Sequence, residues 1–312
     1  MKKFEVYQYL EGTEMTSRDK EEIGSKFWNE GKWNNFVAPF LSQTQDEDLS
    51  QQTLIDMGCN AGLFLKFAED LGFGRVVGVD NNKDAVERGC EWRDKQGKKY
   101  KIICAPIENC IDDLPVADYT ILANAHYYFT INDWLEYLDK LQYKTRYVII
   151  VTAEKKHINR CWASADIESI RNYFKTWQEI GYIDELPTEG DPKPRRMWGI
   201  CFKSPFIEKM DIDKIDSSNH VQDDFYKEMD EGKHYTQTRY YKILKPYRKN
   251  WSEEKLNRWI EERIKVYKDI KENGLKKPIL MDFFKEDRLL DGNHRYAGIR
   301  NLGFKKIFIR KT

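Results

Sequence analysis

Residues 53–62 read TLIDMGCNAG, and residues 75–80 read RVVGVD. The first stretch is a short apolar run followed by a turn with glycines at positions 58 and 62, and the second is an apolar run that ends on Asp80. Between them, residues 63–69 (LFLKFAE) have the apolar spacing of a helix packed on a sheet. This order of strand, glycine turn, helix and strand predicts a βαβ unit with two parallel, buried strands.

The same alternation continues along the chain. Further strands are predicted at 100–104, 118–124, 147–151 and 196–203, and further helices at 82–95, 134–141 and 167–181. Residues 1–50 are predicted as a helical lead-in, with Ser17 as an N-cap. Strands that alternate with helices predict a doubly wound, Rossmann-like α/β domain over residues 51–207.

A second domain is predicted at the end of the chain. Residues 208–239 are charged and weakly periodic, which indicates a linker. Residues 240–312 contain a capped helix from Ser252 to Gly274, short strands at 278–281, 288–290 and 306–309, and a short helix, which together predict a small α+β domain.

Composition limits the class of protein. The 312 residues suit two domains, and no run of about 18 apolar residues predicts a membrane span. The start of the chain lacks the apolar stretch of a signal peptide, and the six cysteines form no C-x-x-C pair, so we expect a cytoplasmic protein with reduced thiols.

Residues 233–312 hold 22 Lys+Arg and 10 Asp+Glu, a net +12 that balances −12 elsewhere. The basic end predicts a polyanionic partner, or else a solvated or docking surface.

The turn at 58–62 and the carboxylate of Asp80 suit a nucleoside-bearing cofactor. The glycines allow close approach of a ligand, and Asp80 can accept hydrogen bonds from both ribose hydroxyls. The spacing G-x-x-x-G is less suited to a pyrophosphate than G-x-G-x-x-G. Asp56 would lie poorly beside phosphates but suits the cationic aminoacyl end of a sulfonium cofactor. The alternative is an ordinary glycine turn of an α/β sheet.

Residues 50–207 resemble the class I S-adenosylmethionine-dependent methyltransferases. Residues 55–62 resemble the family's first motif, 77–80 its ribose-binding motif, 105–108 its adenine-binding segment and 118–126 its fourth-strand motif. The resemblance implies S-adenosylmethionine as cofactor. It assigns cofactor binding to Asp56, Gly58, Asn60, Gly62, Asp80, Asn81, Ile107 and Asn124.

The end of the fourth-strand motif bears on the acceptor. It reads Asn-Ala-His-Tyr at 124–127 and has neither the Pro-Pro pair nor the Pro-Cys pair of DNA-base methyltransferases, which argues against a DNA base as acceptor. His126 is the candidate general base, with packing under the rim as the alternative. Tyr127, Tyr128 and Trp162 are candidates for an acceptor pocket or for core.

Residues 240–312 resemble the ParB/sulfiredoxin-like nucleotide-binding fold. The resemblance rests on GLKKPI at 274–279, on DGNHRYAG at 291–298 and on the Leu-Gly pair at 302–303. It assigns phosphate or nucleotide binding to Asp291, Gly292, Asn293, His294 and Arg295, with a nucleotide triphosphate and Mg²⁺ as the ligand and with no metal site otherwise predicted. Asn293 replaces the sulfiredoxin cysteine, which argues against reductase chemistry, and the chain ends before a partition protein's helix-turn-helix. A docking module without nucleotide is the alternative.

Three functions follow from these patterns. The first is methylation of a small-molecule or nucleotide-like acceptor, helped by the basic module. The second is a nucleotide-binding or phosphoryl-transfer enzyme whose α/β domain senses the cofactor. The third is a methyltransferase directed to RNA or DNA by its basic end. The cofactor motifs favour the first.

Overall fold

The computed structural model describes residues 8, 10, 29–46, 48–153, 166–185, 197–215, 220–281 and 289–311. The chain divides into two compact units. Unit 1 comprises residues 1–113 and 117–205, and unit 2 comprises residues 114–116 and 206–312.

Unit 1 is built on a mixed sheet of seven strands within the described ranges. The strands are β1 (Thr53–Met57), β2 (Arg75–Asp80), β3 (Lys101–Cys104), β4 (Ala117–Ala123), β5 (Thr145–Ala153), β6 (Gln178–Glu185) and β7 (Met197–Lys203). Their order is β3-β2-β1-β4-β5-β7-β6, and β7 alone runs antiparallel to its two neighbours in that sheet. The chain moves outward from β1 to β3 and then returns to β4, so the strand order reverses between β1 and β4. Parallel sheets bind ligands at the carboxyl ends of strands on either side of such a reversal.

The helices of unit 1 follow the strands. A π-helical turn (Trp33–Val37) leads into α1 (Ala38–Thr44), and α2 (Leu63–Leu71), α3 (Lys83–Lys95), α4 (Ile107–Cys110), α5 (Ile131–Leu141) and α6 (Ile167–Tyr173) come next.

Both faces of the sheet are covered. On one face, Phe36 packs so closely on Gly199 that a Cβ there would lie 2.7 Å from the ring. Neighbouring strand residues point to opposite faces, and Phe202 stacks on Phe174 at 4.5 Å, whereas Cys201 belongs to the core that contains Phe36. The doubly wound α/β prediction is therefore confirmed for unit 1.

Unit 2 is a separate α+β unit. Its sheet has the order β10-β9-β11-β8 and uses β8 (Ile207–Asp211), β9 (Ile279–Met281), β10 (Leu289–Asp291) and β11 (Lys306–Lys311). Its helices are α7 (His220–Asp230), α8 (Arg239–Tyr247), α9 (Glu253–Asn273) and α10 (Asn293–Asn301). None of the helices in the described ranges combines the length and apolarity that a membrane crossing requires.

The structure corrects two predicted domain boundaries. Residues 208–239 are not a linker, because they contain most of β8, which pairs antiparallel with β11, and all of α7, whose Phe225 and Tyr226 are fully buried. The lead-in is not separate either, because Trp33, Phe36 and Phe40 lie in the core of unit 1. The predicted N-cap Ser17 lies outside the described residues.

One predicted helix is also corrected. The helix expected over 167–181 ends at Tyr173, and residues 178–185 form the edge strand β6. The pairing of β6 with β7 shifts register between Glu179 and Gly181. Such a bulge interrupts the two-residue alternation that would have indicated a strand.

Candidate functional site

The turn after β1 is built on three residues with positive φ. Gly58, Asn60 and Gly62 have φ of 82°, 49° and 90°. Glycine adopts this region without steric cost, and asparagine is enriched there among the other residues. The backbone N–H groups of Gly58 and Cys59 donate to the carbonyl oxygen of Val79 at 2.8 and 3.0 Å. The turn is therefore held against the end of β2.

Gly58 lies where three elements meet. A Cβ on Gly58 would lie 2.9 Å from the Cβ of Ala125, which follows β4, and 3.8 Å from Cδ1 of Ile107, the first residue of α4. Asn124, next to Ala125, has a positive φ of 57°. Gly58, Ile107 and Ala125, the residue after Asn124, thus meet at the reversal of strand order.

Asp80 ends β2 beside this turn. Its Oδ2 accepts a hydrogen bond from the backbone N–H of Asn60 at 2.7 Å, and its Oδ1 accepts one from the backbone N–H of Asn82 at 2.8 Å. Burial raises the pKa of Asp80, and the two hydrogen bonds oppose this rise. Each carboxylate oxygen has a further lone pair, so the fixed carboxylate can accept hydroxyl hydrogen bonds from a ligand. Asn81 is exposed on the same loop.

Asp56 lies near the end of β1, where the carboxyl ends of β1 and β2 are neighbours. Its side chain is 1% exposed, and no hydrogen bond to its buried Oδ1 exists among the described residues. Burial raises the pKa of Asp56 to about 8, the negative charge of Asp80 adds to the rise, and the ammonium of Lys32 opposes it. Oδ1 of Asp56 is therefore an unused hydrogen-bond acceptor. A cation placed close to it would lower the pKa of the carboxyl.

Sequence reasoning missed two residues of this edge. The side chain of Gln8 accepts a hydrogen bond from the backbone N–H of Leu63 at 2.8 Å, and its own backbone N–H donates to Oδ1 of Asn60 at 3.3 Å. Lys32 is 7% exposed, and its ammonium donates to Oδ1 of Asn29 at 3.3 Å. No motif spacing links either residue to the turn. For Lys32, the available signal was a lysine within an aromatic helical segment, since lysines are seldom buried.

The residues after β4 differ in their accessibility. His126 is fully buried, and its ring centroid lies 6.0 Å from that of Trp134 on α5. The packing of this ring on Trp134 favours the packing role over the role of general base. Tyr128 is 62% exposed. The side chain of Tyr127 and the whole of Trp162 lie outside the part of the chain that the structure describes.

In unit 2, the predicted phosphate turn lies between β10 and α10. Gly292 has a φ of 104°, and Asn293 begins α10. The guanidinium of Arg295 donates to Oδ2 of Asp291 at 2.8 Å and lies beside the Cα of Gly292. Asp291, Gly292 and Arg295 therefore form one ion-paired turn.

His294 does not belong to that turn, which corrects its prediction as a phosphate ligand. Its Nδ1 is hydrogen-bonded to the hydroxyl of Tyr226 at 3.1 Å and its Nε2 to the hydroxyl of Tyr240 at 3.2 Å. Trp259 packs edge-on against the ring at 5.5 Å. Burial lowers the pKa of His294 to about 4, and the positive charge of Arg263 adds to this effect. A neutral histidine with both nitrogens occupied by tyrosines has no donor left for phosphate. Its side chain points into the packed interior because its position on α10 faces α7 and α9.

Comparison with known proteins gives only distant structural matches. No family model matches the sequence, and no curated protein matches it. A protein from Pyrococcus horikoshii OT3 is 14% identical, with a TM-score of 0.47 over 59% of this chain and 93% of that one. The N-methyltransferase NodS from Bradyrhizobium japonicum is 15% identical, with a TM-score of 0.44 over 59% of this chain and 99% of that one. Magnesium protoporphyrin IX methyltransferase from Synechocystis, solved with bound S-adenosylmethionine, is 14% identical, with a TM-score of 0.45 over 62% of this chain and 87% of that one.

Proposed function

We propose that unit 1 binds S-adenosylmethionine and transfers its methyl group. The observation that carries this proposal is the convergence of the Gly58 turn, the fixed carboxylate of Asp80 and the buried, unused Oδ1 of Asp56 at the reversal of strand order. The Gly58 turn allows a ligand to approach closely. The carboxylate of Asp80 suits a ribose, and Oδ1 of Asp56 suits a cationic aminoacyl group. The carboxylate of Asp80 at this turn would repel phosphates.

The residues of the edge have distinct proposed roles. Asp80 and the exposed Asn81 would hold the ribose, and half-buried Ile107 would lie against adenine. Asp56, Gly58, Asn60, Gly62 and Asn124 would hold the methionine end. When bound, the cofactor supplies an electrophilic methyl group. The protein's contribution is then to align the acceptor with that methyl and to exclude water.

The acceptor in this proposal is a small molecule or a nucleotide-like metabolite. The exposed ring of Tyr128 follows β4 and is the described side chain best placed to form part of an acceptor surface. His126 is left out of the proposed chemistry because its ring packs on Trp134 of α5. An acceptor that needs no deprotonation by the protein, or that loses its proton to solvent, is compatible with this site.

The test is calorimetric binding of S-adenosylmethionine to the full chain, followed by incubation of the chain with methyl-labelled cofactor and a metabolite extract. The proposal expects binding and a labelled small molecule that depends on the protein. A chain that fails to bind the cofactor contradicts it. Binding without transfer to any metabolite or nucleic acid would favour a cofactor-sensing role instead.

For unit 2 we propose a phosphate-bearing ligand at the turn of Gly292 and Arg295. The support is a left-handed glycine that opens a helix, with a planar cation beside it. A nucleotide triphosphate with Mg²⁺ and nucleic acid are the two ligand classes to be compared. Arg295→Ala should weaken nucleotide binding in the first case. In the second case the affinity should fall steeply with salt in wild type and variant alike. If neither ligand binds, unit 2 is a docking module.

A further inference from the structure

The corner of unit 2 at which α8 gives way to α9 is basic and aromatic. Between Glu231 and Glu253 the chain has six lysines and arginines and no aspartate or glutamate. Tyr247, the last residue of α8, is 81% exposed, the highest value for a large apolar or aromatic side chain in the described ranges. We call this region the corner surface, and it consists of Tyr247, Arg248, Lys249, Trp251 and Lys255.

The cations of the corner surface lie over its rings. The guanidinium carbon of Arg248 is 4.8 Å from the ring centroid of Trp251 and 5.9 Å from that of Tyr247. The ammonium of Lys255 is also 4.8 Å from the ring centroid of Trp251. Trp251 is half-buried, and its ring packs edge-on against Trp259 of α9 at 6.1 Å. The corner surface therefore joins one ring anchored in unit 2 to one ring that faces solvent.

Neighbouring carboxylates leave the corner surface positive. Glu253 pairs with Lys245 at 3.0 Å, and Glu254 pairs with Arg258 at 3.1 Å, so each of these carboxylates has a cation of its own. The three cations of the corner surface are exposed and form no ion pair with a carboxylate in the described ranges. An anionic partner can therefore reach all three of them.

The combination of rings and cations restricts the kind of partner. Bases of a single strand stack on aromatic rings and on guanidinium planes, while lysines and arginines contact the phosphates. A duplex keeps its bases inside the stack, so Tyr247 would contribute little to binding it. An acidic protein surface would use the cations and leave the rings without a purpose.

The packing of α8 also argues against a membrane as the partner. A helix that lies on a membrane needs a large apolar face turned outward. The apolar residues Tyr240, Tyr241 and Leu244 of α8 are instead buried in a core of unit 2. A single strand of nucleic acid is thus the partner that these observations favour.

We propose that the corner surface binds single-stranded RNA, with a base stacked on Tyr247 and with phosphates contacted by Arg248, Lys249 and Lys255. RNA is the natural source of such a strand, because its loops and ends present unstacked bases. The corner surface shares no residue with the turn of Gly292 and Arg295. The inference goes beyond the proposed function, since it does not require unit 1 to bind a cofactor.

The experiment measures fluorescence anisotropy of a labelled pyrimidine RNA of about 12 nucleotides with the full chain. The comparison probes are the same sequence as single-stranded DNA, an RNA duplex, inorganic polyphosphate and vesicles of phosphatidylserine and phosphatidylcholine. Tyr247→Ser should weaken RNA binding about 5- to 50-fold through loss of stacking, and should leave polyphosphate binding within about twofold. Arg248→Gln should weaken both, and should reduce the slope of log affinity against log salt by about 0.7.

Controls separate the corner surface from general effects of charge and apolarity. Lys95→Gln removes an exposed cation at the end of α3, and Leu135→Ser removes a 49% exposed side chain of α5. Both controls lie in unit 1 and should leave RNA affinity unchanged. Tyr247→Phe keeps the ring and should retain RNA binding. Thermal unfolding checks the fold of each variant, and Tyr247→Leu replaces Tyr247→Ser if the latter does not fold.

Each outcome decides the inference. A loss in Tyr247→Ser that is confined to RNA, with the duplex bound at least about 10-fold more weakly than the strand, supports it. Equal losses for RNA and polyphosphate, or no loss for either, overturn it. Tighter binding of the DNA strand or the duplex, or binding of the vesicles but not of RNA, overturns the choice of partner. Failure to bind S-adenosylmethionine would contradict the proposed function alone.

Discussion

Gly58 and Gly72 both have positive φ, but their surroundings differ. Gly58 has a φ of 82° and faces Ala125, whereas Gly72 has a φ of 100° at the end of α2, and a Cβ added to it would have no described atom within 4 Å. The backbone conformation is therefore equally demanding at both sites, and close approach to another element matters at Gly58 alone of the two. A comparison of the two glycines therefore separates the energetic cost of a positive φ from the contribution of Gly58 to ligand binding.

We expect Gly58→Ala and Gly72→Ala both to destabilise the chain through backbone strain, about 1–2 kcal/mol each. Gly58→Ala should cost more than Gly72→Ala, because its Cβ would also clash with that of Ala125. Gly58→Ala should also weaken cofactor binding, because its Cβ would displace Ala125 from the turn. Thermal unfolding and cofactor titration of both variants check this. Equal effects of the two variants on affinity would show that Gly58 has no special place in the site.

His294 illustrates how a polar side chain can serve a core. Two tyrosine hydroxyls occupy its ring nitrogens, and burial keeps it neutral with a pKa of about 4. The folded-state pKa lies below the ordinary value of 6.5, so the unfolded chain takes up the proton first as the pH falls. The free energy of unfolding should therefore fall as the pH drops from about 6.5 to about 4.

His294→Gln removes this proton uptake. The variant should be less stable than wild type near neutrality, and the difference should shrink by up to about 3 kcal/mol toward pH 4. Chemical denaturation of both proteins at about pH 7 and about pH 4.5 measures the difference. A difference that stays constant or widens at low pH would mean that His294 is charged in the folded chain.

At the scale of elements, the helical segment before β1 packs directly on the sheet. Phe36 lies so close to Gly199 on β7 that a Cβ there would be 2.7 Å from the ring, and Gly199 allows this approach. Gly31 lies on the same helical segment, and a Cβ added to it would have no described atom within 4 Å. Substitution by alanine is therefore expected to change the free energy of unfolding in opposite directions at the two positions.

Gly199→Ala should lower the free energy of unfolding by about 1–3 kcal/mol, since it forces the segment away from the sheet. Gly31→Ala should raise it by about 0.5–1 kcal/mol, since alanine favours the helix. Thermal or denaturant unfolding distinguishes the two signs. Two neutral variants would mean that this segment does not belong to the core of unit 1.

The central strands were predictable because their residues are buried on both faces. β1 and β2 appear in the sequence as short, mostly apolar runs between turns, and parallel strands covered by helices favour such runs. The edge strands β6 and β8 were missed because charged residues interrupt their apolar pattern, among them the exposed Glu179 and the half-buried Glu208 and Lys209. An edge strand with a bulge or with charges resembles a loop in the sequence.

The sequence likewise predicted only part of the candidate site. Gly58, Gly62 and Asp80 lie in one short βαβ unit, so their spacing alone places them together. Gln8 and Lys32 reach the same edge through tertiary packing, which leaves no periodic signal. His294 was misassigned because the motif fixes its position on α10 but not the direction of its side chain, which the three aromatic residues around it determine.

At the scale of the whole molecule, the chain combines two units of different composition. Unit 1 holds the site with Asp56 and Asp80, and unit 2 has 25 Lys+Arg and 19 Asp+Glu, a net +6 that leaves −6 for unit 1. Opposite charges on the two units suit ligands of different charge, a cationic cofactor for the first and an anionic ligand for the second. The short segment 114–116 joins the core of unit 2 through Val116, so unit 2 is not a simple C-terminal extension.

The most direct measurement is the affinity of the full chain for S-adenosylmethionine, compared between wild type, Asp80→Asn and Asp84→Asn. Asp84 is an exposed carboxylate in the first turn of α3, so its variant controls for the loss of one negative charge near the site. We expect wild type and Asp84→Asn to bind alike and Asp80→Asn to bind about 10- to 100-fold more weakly, because a charge-assisted acceptor for the ribose is lost. Equal affinities for all three proteins, or no binding to the wild type, would contradict the proposed cofactor site.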